Sequence, residues 1–339
     1  MKLILSSRIN KNLFALGLAL FGNDVYADCI VNNTASTTIS IPSIALYESG
    51  EASTQFKSGL SCSGFSLGLV NTTYLKYKID QMSNVFRNAA TGETLSVQLY
   101  DTDNHVISQG QERDMSSLSV LNFFSGPDGS LPFYYNIPAG QNVSPGTYLA
   151  ETPLKVKWYY SVPRIAAIGL GLYFESPGFK RGGIFERFDW GRGSDSSQTL
   201  IVKILPDCRI LTQDVNFGTA AFAGQFEPVS TSMGIRCSIN TPYSVSLNNG
   251  LYPQNGKQRT MKSQSGNDYL KYEIYKNTST ERWGSGSEAW SSLNATVNPG
   301  LHDGKTQQRY LFTTRILDSN SDFMPAGNYQ DAITVEVSF

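Results

Sequence analysis

The sequence is poor in the side chains that build metal and catalytic sites. Its 339 residues contain four cysteines with no CxxC pair and two histidines, His105 and His302. Gly64-Phe65-Ser66-Leu67-Gly68 has the GxSxG spacing, but no helical pattern follows it, and a nucleophile elbow requires a strand-to-helix turn. Asp101, Asp103 and His105 read as a charged turn that lacks the further ligands a calcium or hydrolase site needs. We therefore expect no metal, no cofactor and no enzymatic activity.

Charge is also scarce and balanced. Charged residues make up 16% of the chain, with 27 Lys and Arg against 28 Asp and Glu, so the formal net charge is −1. This balance gives no reason to invoke a partner that carries phosphates. We expect neither nucleic acid nor an anionic membrane surface among its partners.

Long hydrophobic runs are absent as well. The apolar run Leu13–Phe21 is too short to span a bilayer and follows the basic residues Lys2, Arg8 and Lys11. Val25-Tyr26-Ala27 then offers small residues at the positions that signal peptidase reads. We expect residues 1–27 to be a cleaved signal peptide, so that the mature chain starts at Asp28, carries no membrane anchor and is exported.

The four cysteines fall into two similarly spaced pairs, each opening one half of the mature chain: Cys29 with Cys62 and Cys208 with Cys237. Four cysteines allow three pairings, and the repeat favours the local one. In an exported protein this arrangement predicts one disulfide per domain. Each bridge would stabilise its domain by about 3–4 kcal/mol.

Other features repeat too. The string LKYKI at 75–79 resembles LKYEI at 270–274, and each half closes with a Pro-Gly-Tyr turn ending in Tyr148 or Tyr329. An alternating segment follows each turn, at 154–160 and 333–339. The first half continues into a further alternating segment, 199–205, whereas the second half ends.

Secondary structure should be almost entirely β. No window sustains helical periodicity, while short alternating runs separated by Gly, Asn and Pro clusters are frequent. We predict an all-β fold of two immunoglobulin-like β-sandwich domains in tandem. Residues 28–206 form the first and residues 207–339 the second, with the boundary at Pro206-Asp207.

The two predicted domains differ in one strand. Leu200, Val202 and Ile204 alternate along the segment that follows the first copy, so the first domain supplies its own last strand. The second domain lacks that strand, which leaves a sheet edge and a hydrophobic cleft open to a strand from another chain. We expect the docking edge to consist of alternate residues of its final segment, namely Ile333, Val335, Val337 and Phe339.

At this point the second half resembles a spore coat protein U domain. The resemblance rests on the following strings: VNFG at 215–218, GIRC at 234–237, LKYEIYK at 270–276, Trp283-Gly284 and the closing PAGNY at 325–329. It implies a pilin of an archaic chaperone–usher pilus, assembled by donor-strand exchange. The partners would be a periplasmic chaperone, an outer-membrane usher and an adjacent pilin that donates a strand. The first half matches more loosely, with a shorter Cys62-to-LKYKI spacing and a long insertion at 161–198.

The two-domain arrangement resembles the tip adhesins of the Csu-type pili in this class. A shaft pilin of the family carries an N-terminal extension that fills the next subunit. If the mature chain starts one residue before Cys29, it has nothing to donate and must end the polymer. We therefore expect the protein at the pilus tip on the cell surface.

Three apolar segments should share the far end of the first domain, because the strand 199–205 runs toward the second domain and its neighbours reverse direction. The alternative is that they are buried core, but their glycines favour loops and the second copy has no equivalents. Exposed apolar loops mark an interaction surface. The predicted surface-binding residues are Phe65, Leu67, Leu69, Val70, Phe123, Phe124, Ile165, Ala166, Ala167, Ile168, Leu170 and Leu172.

The resulting hypothesis is a tip adhesin that attaches cells to hydrophobic biotic or abiotic surfaces and promotes biofilm formation. One alternative is a lectin-type adhesin in which Trp158, Tyr159, Tyr160 or Trp190 stacks on sugar rings. Another is a structural pilin or coat protein without binding activity.

Overall fold

The structure is a computed structural model that describes residues 28–32, 34–63, 67–69, 72–117, 129–167, 170–182, 187–320 and 323–339. The proposed signal peptide lies outside these residues. Almost all regular structure is β, in two domains, which confirms the predicted fold class. Among the described residues, no helix is long and apolar enough to cross a membrane.

In the described part of the first domain there are fourteen strands and one short α-helix, α1, Ser43–Ser49. The strands are β1 Asp28–Val31, β2 Ala35–Pro42, β3 Glu51–Ser63, β4 Leu67–Leu69, β5 Tyr74–Gln81, β6 Val85–Asn88, β7 Thr94–Ser96, β8 Gln98–Tyr100, β9 Glu112–Asp114, β10 Ser130–Ile137, β11 Gly146–Ala150, β12 Leu154–Ala167, β13 Leu170–Glu175 and β14 Ser194–Leu205.

The second domain contains nine strands and three 3₁₀ turns, Ala223–Gln225, Gly286–Glu288 and Ser292–Asn294. The strands are β15 Cys208–Leu211, β16 Val229–Cys237, β17 Ser244–Leu247, β18 Thr260–Ser263, β19 Tyr269–Lys276, β20 Trp290–Ser291, β21 Gln308–Ile316, β22 Tyr329–Gln330 and β23 Val335–Ser338.

Both domains share one strand order. The second domain packs a six-stranded sheet, β15-β16-β21-β19-β18-β22, against a three-stranded sheet, β20-β17-β23. The first domain has β1-β3-β10-β8 in one sheet, while β7-β6-β11 continues through β14 into β12-β5-β9. When the two orders are aligned, β8 and β7 of the first domain hold the place of β19 in the second. Strands β9, β5 and β12 hold the places of β20, β17 and β23.

This topology corrects the repeat read from the LKYKI and LKYEI strings. LKYKI lies in β5, which pairs with β12, the strand that follows the closing turn. The strand that holds this place in the second domain is β17, which pairs with β23. LKYEI lies in β19, beside the central strand β21, so the two strings are not equivalent. Their similarity reflects the alternation that any half-buried strand requires.

Each domain has its own hydrophobic core, crossed near one end by a disulfide. The first core is centred on Trp158, Phe133 and Tyr77, and the second on Trp283 and Tyr310. Both predicted disulfides, Cys29–Cys62 and Cys208–Cys237, are confirmed. Each joins the first strand of its domain to the strand beside it.

The domains are joined without an intervening linker. Only Pro206 and Asp207 separate β14 from β15, and we keep 28–206 and 207–339 as the proposed domain limits. The Asp207 carboxylate accepts a hydrogen bond from the backbone N–H of Ile44 in α1 (2.9 Å). Glu48, at the other end of this helix, forms an ion pair with Arg236 of the second domain. No sequence pattern predicts α1, because a two-turn helix is too short to show a period.

Candidate functional site

In the first domain, the groove between the sheets is closed by β14. Its C-terminal half pairs antiparallel with β11 and parallel with β2, and its N-terminal half pairs antiparallel with β12. Leu200, Val202 and Ile204 point inward and are buried in the core. The first domain therefore completes its own sandwich, with a strand that begins at Ser194 rather than at the expected Thr199.

The same place in the second domain has no strand. Among the described residues, β22 pairs only with β18, and β23 pairs only with β17. Residues 212–222, which follow β15 as β2 follows β1, form no strand. Two backbone edges and the space between them therefore remain open.

A cavity of about 430 Å³ occupies part of this space. One wall is the segment 215–223, the other is the turn 324–329 before β22, and the floor includes Met261, Leu270 and Ile316. In the first domain, β14 passes between the corresponding elements, β2 and β11. The cavity thus lies where the first domain places its own last strand.

Burial of the final strand shows the same difference. Strand β12 pairs with β5 in the first domain as β23 pairs with β17 in the second. When these two strand pairs are aligned, the inward-facing residues Leu154, Val156, Trp158 and Tyr160 correspond to Ile333, Val335, Val337 and Phe339. All four residues of the first set are buried. In the second set, Ile333, Val335 and Val337 are half-buried and Phe339 is 57% exposed. This row is the predicted docking edge, and its apolar side chains are only partly covered.

A buried charge network holds this edge in place. The Arg259 side chain is fully buried and donates from Nη1 to Glu273 Oε1 (2.6 Å) and from Nη2 to the backbone oxygen of Asn248 (2.6 Å). The Asn248 side chain accepts from the backbone N–H of Thr334, just before β23 (2.9 Å). Burial lowers the pKa of Arg259, and the nearby Glu273 carboxylate opposes that shift.

Further hydrogen bonds hold the segment that leads into β23. The Tyr272 hydroxyl donates to Asp331 Oδ2 (2.6 Å), and the backbone N–H of Leu251 donates to Asp331 Oδ1 (2.8 Å). Burial and this hydrogen bond raise the pKa of Tyr272 well above its usual range. The edge of β23 is therefore ordered by contacts on one side while its other side is free.

The opposite end of the molecule carries an apolar extension of the sheet. Beyond Trp158, which lies opposite Ser194 at the start of β14, strand β12 continues to Ala167. This is about 30 Å of chain at roughly 3.3 Å per residue. The far end of β12 pairs with β13 on one side and with β4, in parallel, on the other. We call the set formed by β4, 162–167 and β13 the apolar ribbon.

Its outermost part contains no polar residue. The registers align three rows across the strands: Leu67 with Ile165 and Leu172, Gly68 with Ala166 and Gly171, and Leu69 with Ala167 and Leu170. The prediction that these segments are loops is wrong. The glycines suggested loops, but β12 pairs with β13 on one side and with β4 on the other, and this pairing keeps the backbone extended.

Among the predicted surface-binding residues, one is exposed at the edge of the ribbon. Leu172 is 61% exposed at the edge of the ribbon. Five of the predicted binding residues, Phe65, Val70, Phe123, Phe124 and Ile168, lie outside the described residues. Their role stays a prediction.

Behind the ribbon, the rest of the insertion folds onto the outer face of β5 and β12. Phe179, Phe188 and Trp190 form a small aromatic core with Tyr74, with ring centroids 5.2–6.2 Å apart. Arg181 lies beside this core and contacts the base of the ribbon. No sequence pattern predicts this aromatic core, because aromatic residues in an insertion have no period.

The aromatic residues suggested for sugar stacking are poorly placed for it. Trp158 and Tyr160 are buried in the main core, so the lectin hypothesis is wrong for these two residues. Tyr159 and Trp190 are half-buried, and the Lys76 ammonium covers the ring faces of both, at 4.5 and 4.9 Å from the centroids. These contacts occupy the faces that a sugar would need.

Titratable groups elsewhere serve the fold. Asp101 is fully buried and accepts hydrogen bonds from the Tyr77 hydroxyl (2.8 Å) and from the backbone N–H of His105 (3.0 Å). Arg113 pairs with the same carboxylate (3.1 Å). Within the described part of the chain, no group of three or more His, Cys, Asp or Glu side chains could hold a metal ion.

With this geometry in place, the relatives can be compared. The spore coat protein U domain matches residues 17–151 and 196–336. The chain belongs to the spore coat protein U domain family. Residues 152–195, which hold β12, β13 and the aromatic insertion, lie outside the matched ranges.

A solved structure extends the comparison over most of the chain. One chain of the CsuC–CsuE chaperone–tip adhesion subunit pre-assembly complex, from archaic chaperone–usher Csu pili of Acinetobacter baumannii, is 60% identical to this protein. The alignment covers 92% of this chain and 100% of that one, with a TM-score of 0.77.

A more distant similarity adds no argument. The CupB6 tip adhesin from Pseudomonas aeruginosa is 9% identical over 93% of this chain and 95% of its own, with a TM-score of 0.29. No curated protein sequence matches the chain.

Proposed function

We propose that the protein is the tip adhesin of an archaic chaperone–usher pilus. The open groove of the second domain takes a strand first from a periplasmic chaperone and then, at the outer-membrane usher, from the adjacent pilin. The first domain projects outward and attaches the cell to hydrophobic surfaces through its apolar ribbon, which promotes biofilm formation. The protein is exported through the periplasm and ends the pilus on the cell surface.

The observation that carries the proposal is the strand difference between the domains. One domain closes its groove with β14, and the other leaves the edges of β22 and β23 free above half-buried apolar side chains. Each large apolar side chain left uncovered forgoes about 1.5–3 kcal/mol. A strand added by another chain would pair the free edges and cover the docking residues.

The relative supports the partners. The chain that is 60% identical belongs to a pre-assembly complex of a chaperone and a tip adhesion subunit. Because this protein shares the two spore coat protein U matches, we assign it the role of the tip subunit.

The ribbon supports the adhesive role. It lies at the end of the first domain farthest from the open groove, and its three outer rows contain only aliphatic residues and glycine. Contact with a hydrophobic surface would contribute a few kcal/mol per ribbon, at about 25 cal/mol per Å². Many pili on one cell would multiply that contact.

Co-expression tests the groove. The mature chain should be degraded or aggregate when expressed alone in the periplasm, and should be recovered as a one-to-one complex with the pilus chaperone. Recovery of a stable monomer without the chaperone would contradict the proposal.

Attachment tests the ribbon. Leu170→Ser with Leu172→Ser should abolish attachment of piliated cells to polystyrene, because it puts hydroxyls into two of the three rows. The matched control is Val106→Ser, which changes an exposed aliphatic residue of the same domain outside the ribbon. Pilus number should be equal in all strains, and unchanged attachment of the double variant would overturn the role of the ribbon.

A glycan array separates this proposal from the lectin alternative. Specific binding to a glycan, with no loss of attachment in the double variant, would favour the lectin. Finding the protein along the fibre by immunogold labelling would favour a structural subunit.

A further inference from the structure

Three strands must keep one relative position for the apolar ribbon to present three aligned rows. Only 162–167 of β12 continues directly from the main sheet, while β4 and β13 pair with it as short neighbours. Short strands at the end of a sheet open locally at little cost, so a contact at their base would hold the ribbon together.

One side chain contacts β12, β13 and the chain that follows β4. Arg181 donates from Nη2 to the backbone oxygen of Thr72, which lies between β4 and β5 (2.5 Å). From Nη1 it donates to Ser161 Oγ in β12 (2.5 Å). Its guanidinium carbon lies 3.6 Å from the centroid of the Tyr173 ring in β13.

The contact continues across the strand pair. Ser161 and Glu175 are register partners in β12 and β13, and the Ser161 hydroxyl donates to Glu175 Oε1 (2.7 Å). Ser161 therefore accepts from the guanidinium on one side and donates to the carboxylate on the other. A planar cation with several fixed donors suits this arrangement, because it can bond two oxygens and stack on a ring at once.

The surroundings keep Arg181 in one position. Its guanidinium also covers the Tyr74 ring at 4.9 Å, and Tyr74 packs on Phe179 and Phe188 of the aromatic core. Burial lowers the pKa of Arg181. Arg181 is half-buried at the point where the ribbon leaves the sheet.

We propose that Arg181 is a positioning residue that locks the three strands of the apolar ribbon into one rigid unit. This inference rests on the proposed function for its consequence in adhesion, but its structural claim stands apart. The aromatic core of the insertion then acts as the support that holds Arg181 against the ribbon.

The test uses the full chain in complex with its co-expressed chaperone. Arg181→Lys and Arg181→Met are compared with Arg192→Met, a matched control in which an exposed arginine of the same insertion is removed. Hydrogen exchange is followed in the backbone amides of 162–167 and 170–175, and separately in those of 154–158 and 75–79. Attachment to polystyrene is measured in parallel on piliated cells.

Both Arg181 variants should speed exchange in the ribbon at least tenfold while leaving exchange at 154–158 and 75–79 unchanged, and attachment should fall about tenfold. Lysine should not rescue, because a single ammonium cannot replace the two-pronged contact and the ring stacking. The control should behave as the unchanged protein.

Exchange that stays slow in the ribbon of both variants would overturn the inference. So would equal acceleration in the main sheet, since that would mean a general loss of stability. Faster exchange with undiminished attachment would support the positioning role and contradict the adhesive role of the ribbon, so the two claims fail separately.

Discussion

The two domains solve one folding problem in opposite ways. Each is a sandwich with the same strand order, a disulfide at its first strand and a tyrosine whose hydroxyl donates to the backbone oxygen four residues upstream, Tyr148 to Ser144 and Tyr329 to Pro325, both at 2.8 Å. In the first domain β14 covers this tyrosine completely, whereas Tyr329 stays partly exposed. Two domains with the same strand order therefore differ in whether they need a partner, and one strand decides which of them does.

Breaking the internal strand should give the largest effect. Val202→Asp places an unpaired charge in the buried row of β14 and should destabilise the first domain by at least about 4 kcal/mol, a large part of a typical domain's stability. Recovery from the periplasm should be lost even with the chaperone present. Lys203→Asp, at the next and exposed position, is the control and should be recovered normally.

Removing a disulfide should distinguish the domains next. The two bridges close loops of 33 and 29 residues, so each should contribute about 3–4 kcal/mol. Cys208→Ser with Cys237→Ser should abolish the chaperone complex, because the incomplete domain has less stability in reserve. Cys29→Ser with Cys62→Ser should lower the melting temperature of the first domain yet leave the complex intact, and equal losses from both pairs would argue against the comparison.

A charge on the docking edge of the second domain should weaken the binding of an added strand and leave the first domain folded. Val337→Asp should cost about 2 kcal/mol of contact with an added strand. Gel filtration of the co-expressed proteins should then show little one-to-one complex. Glu336→Lys faces outward on the same strand and should bind as before; if Val337→Asp also binds as before, the docking edge is elsewhere.

The smallest effect concerns pH. Burial lowers the pKa of His302 in the second domain, so the folded state holds this imidazole neutral. The unfolded chain then binds more protons as pH falls below about 6.5, and the second domain should lose stability in that range. Thermal unfolding of the chaperone complex between pH 7.5 and 5 should show this loss, and His302→Gln should reduce it.

His105→Gln is the control for that measurement, because His105 is exposed in the first domain. An acid-induced loss of the same size in both variants would show that His302 is not its source.

Much of this comparison could be predicted from the sequence. The alternation at Leu200, Val202 and Ile204 predicted β14, because a strand inserted between two sheets must bury every second residue. The cysteine pairs predicted the two disulfides. Strand direction predicted that the segments around 67–69 and 165–172 lie together, and β4, β12 and β13 do pair there, although their conformation was not predicted.

Other features depend on contacts that no local pattern encodes. LKYKI and LKYEI look alike because both are half-buried strands, and only the pairing of β5 with β12 and of β19 with β21 separates them. Arg181 and Arg259 stand in polar stretches, and their burial follows from segments far along the chain. Glycine at Gly68 and Gly171 suggested loops, but strand neighbours decided the conformation.

The most direct test is to give the second domain the strand that the first one has. A copy of residues 196–205 is added after Phe339 through a short turn, so that it can return antiparallel to β23. Both proteins are purified under denaturing conditions, diluted into buffer without chaperone, and the soluble fraction is examined by calorimetry. We expect the extended protein to be a monomer with two cooperative unfolding transitions, and the original chain to show only that of the first domain. Two transitions in the original chain, or none for the second domain after the addition, would contradict the account.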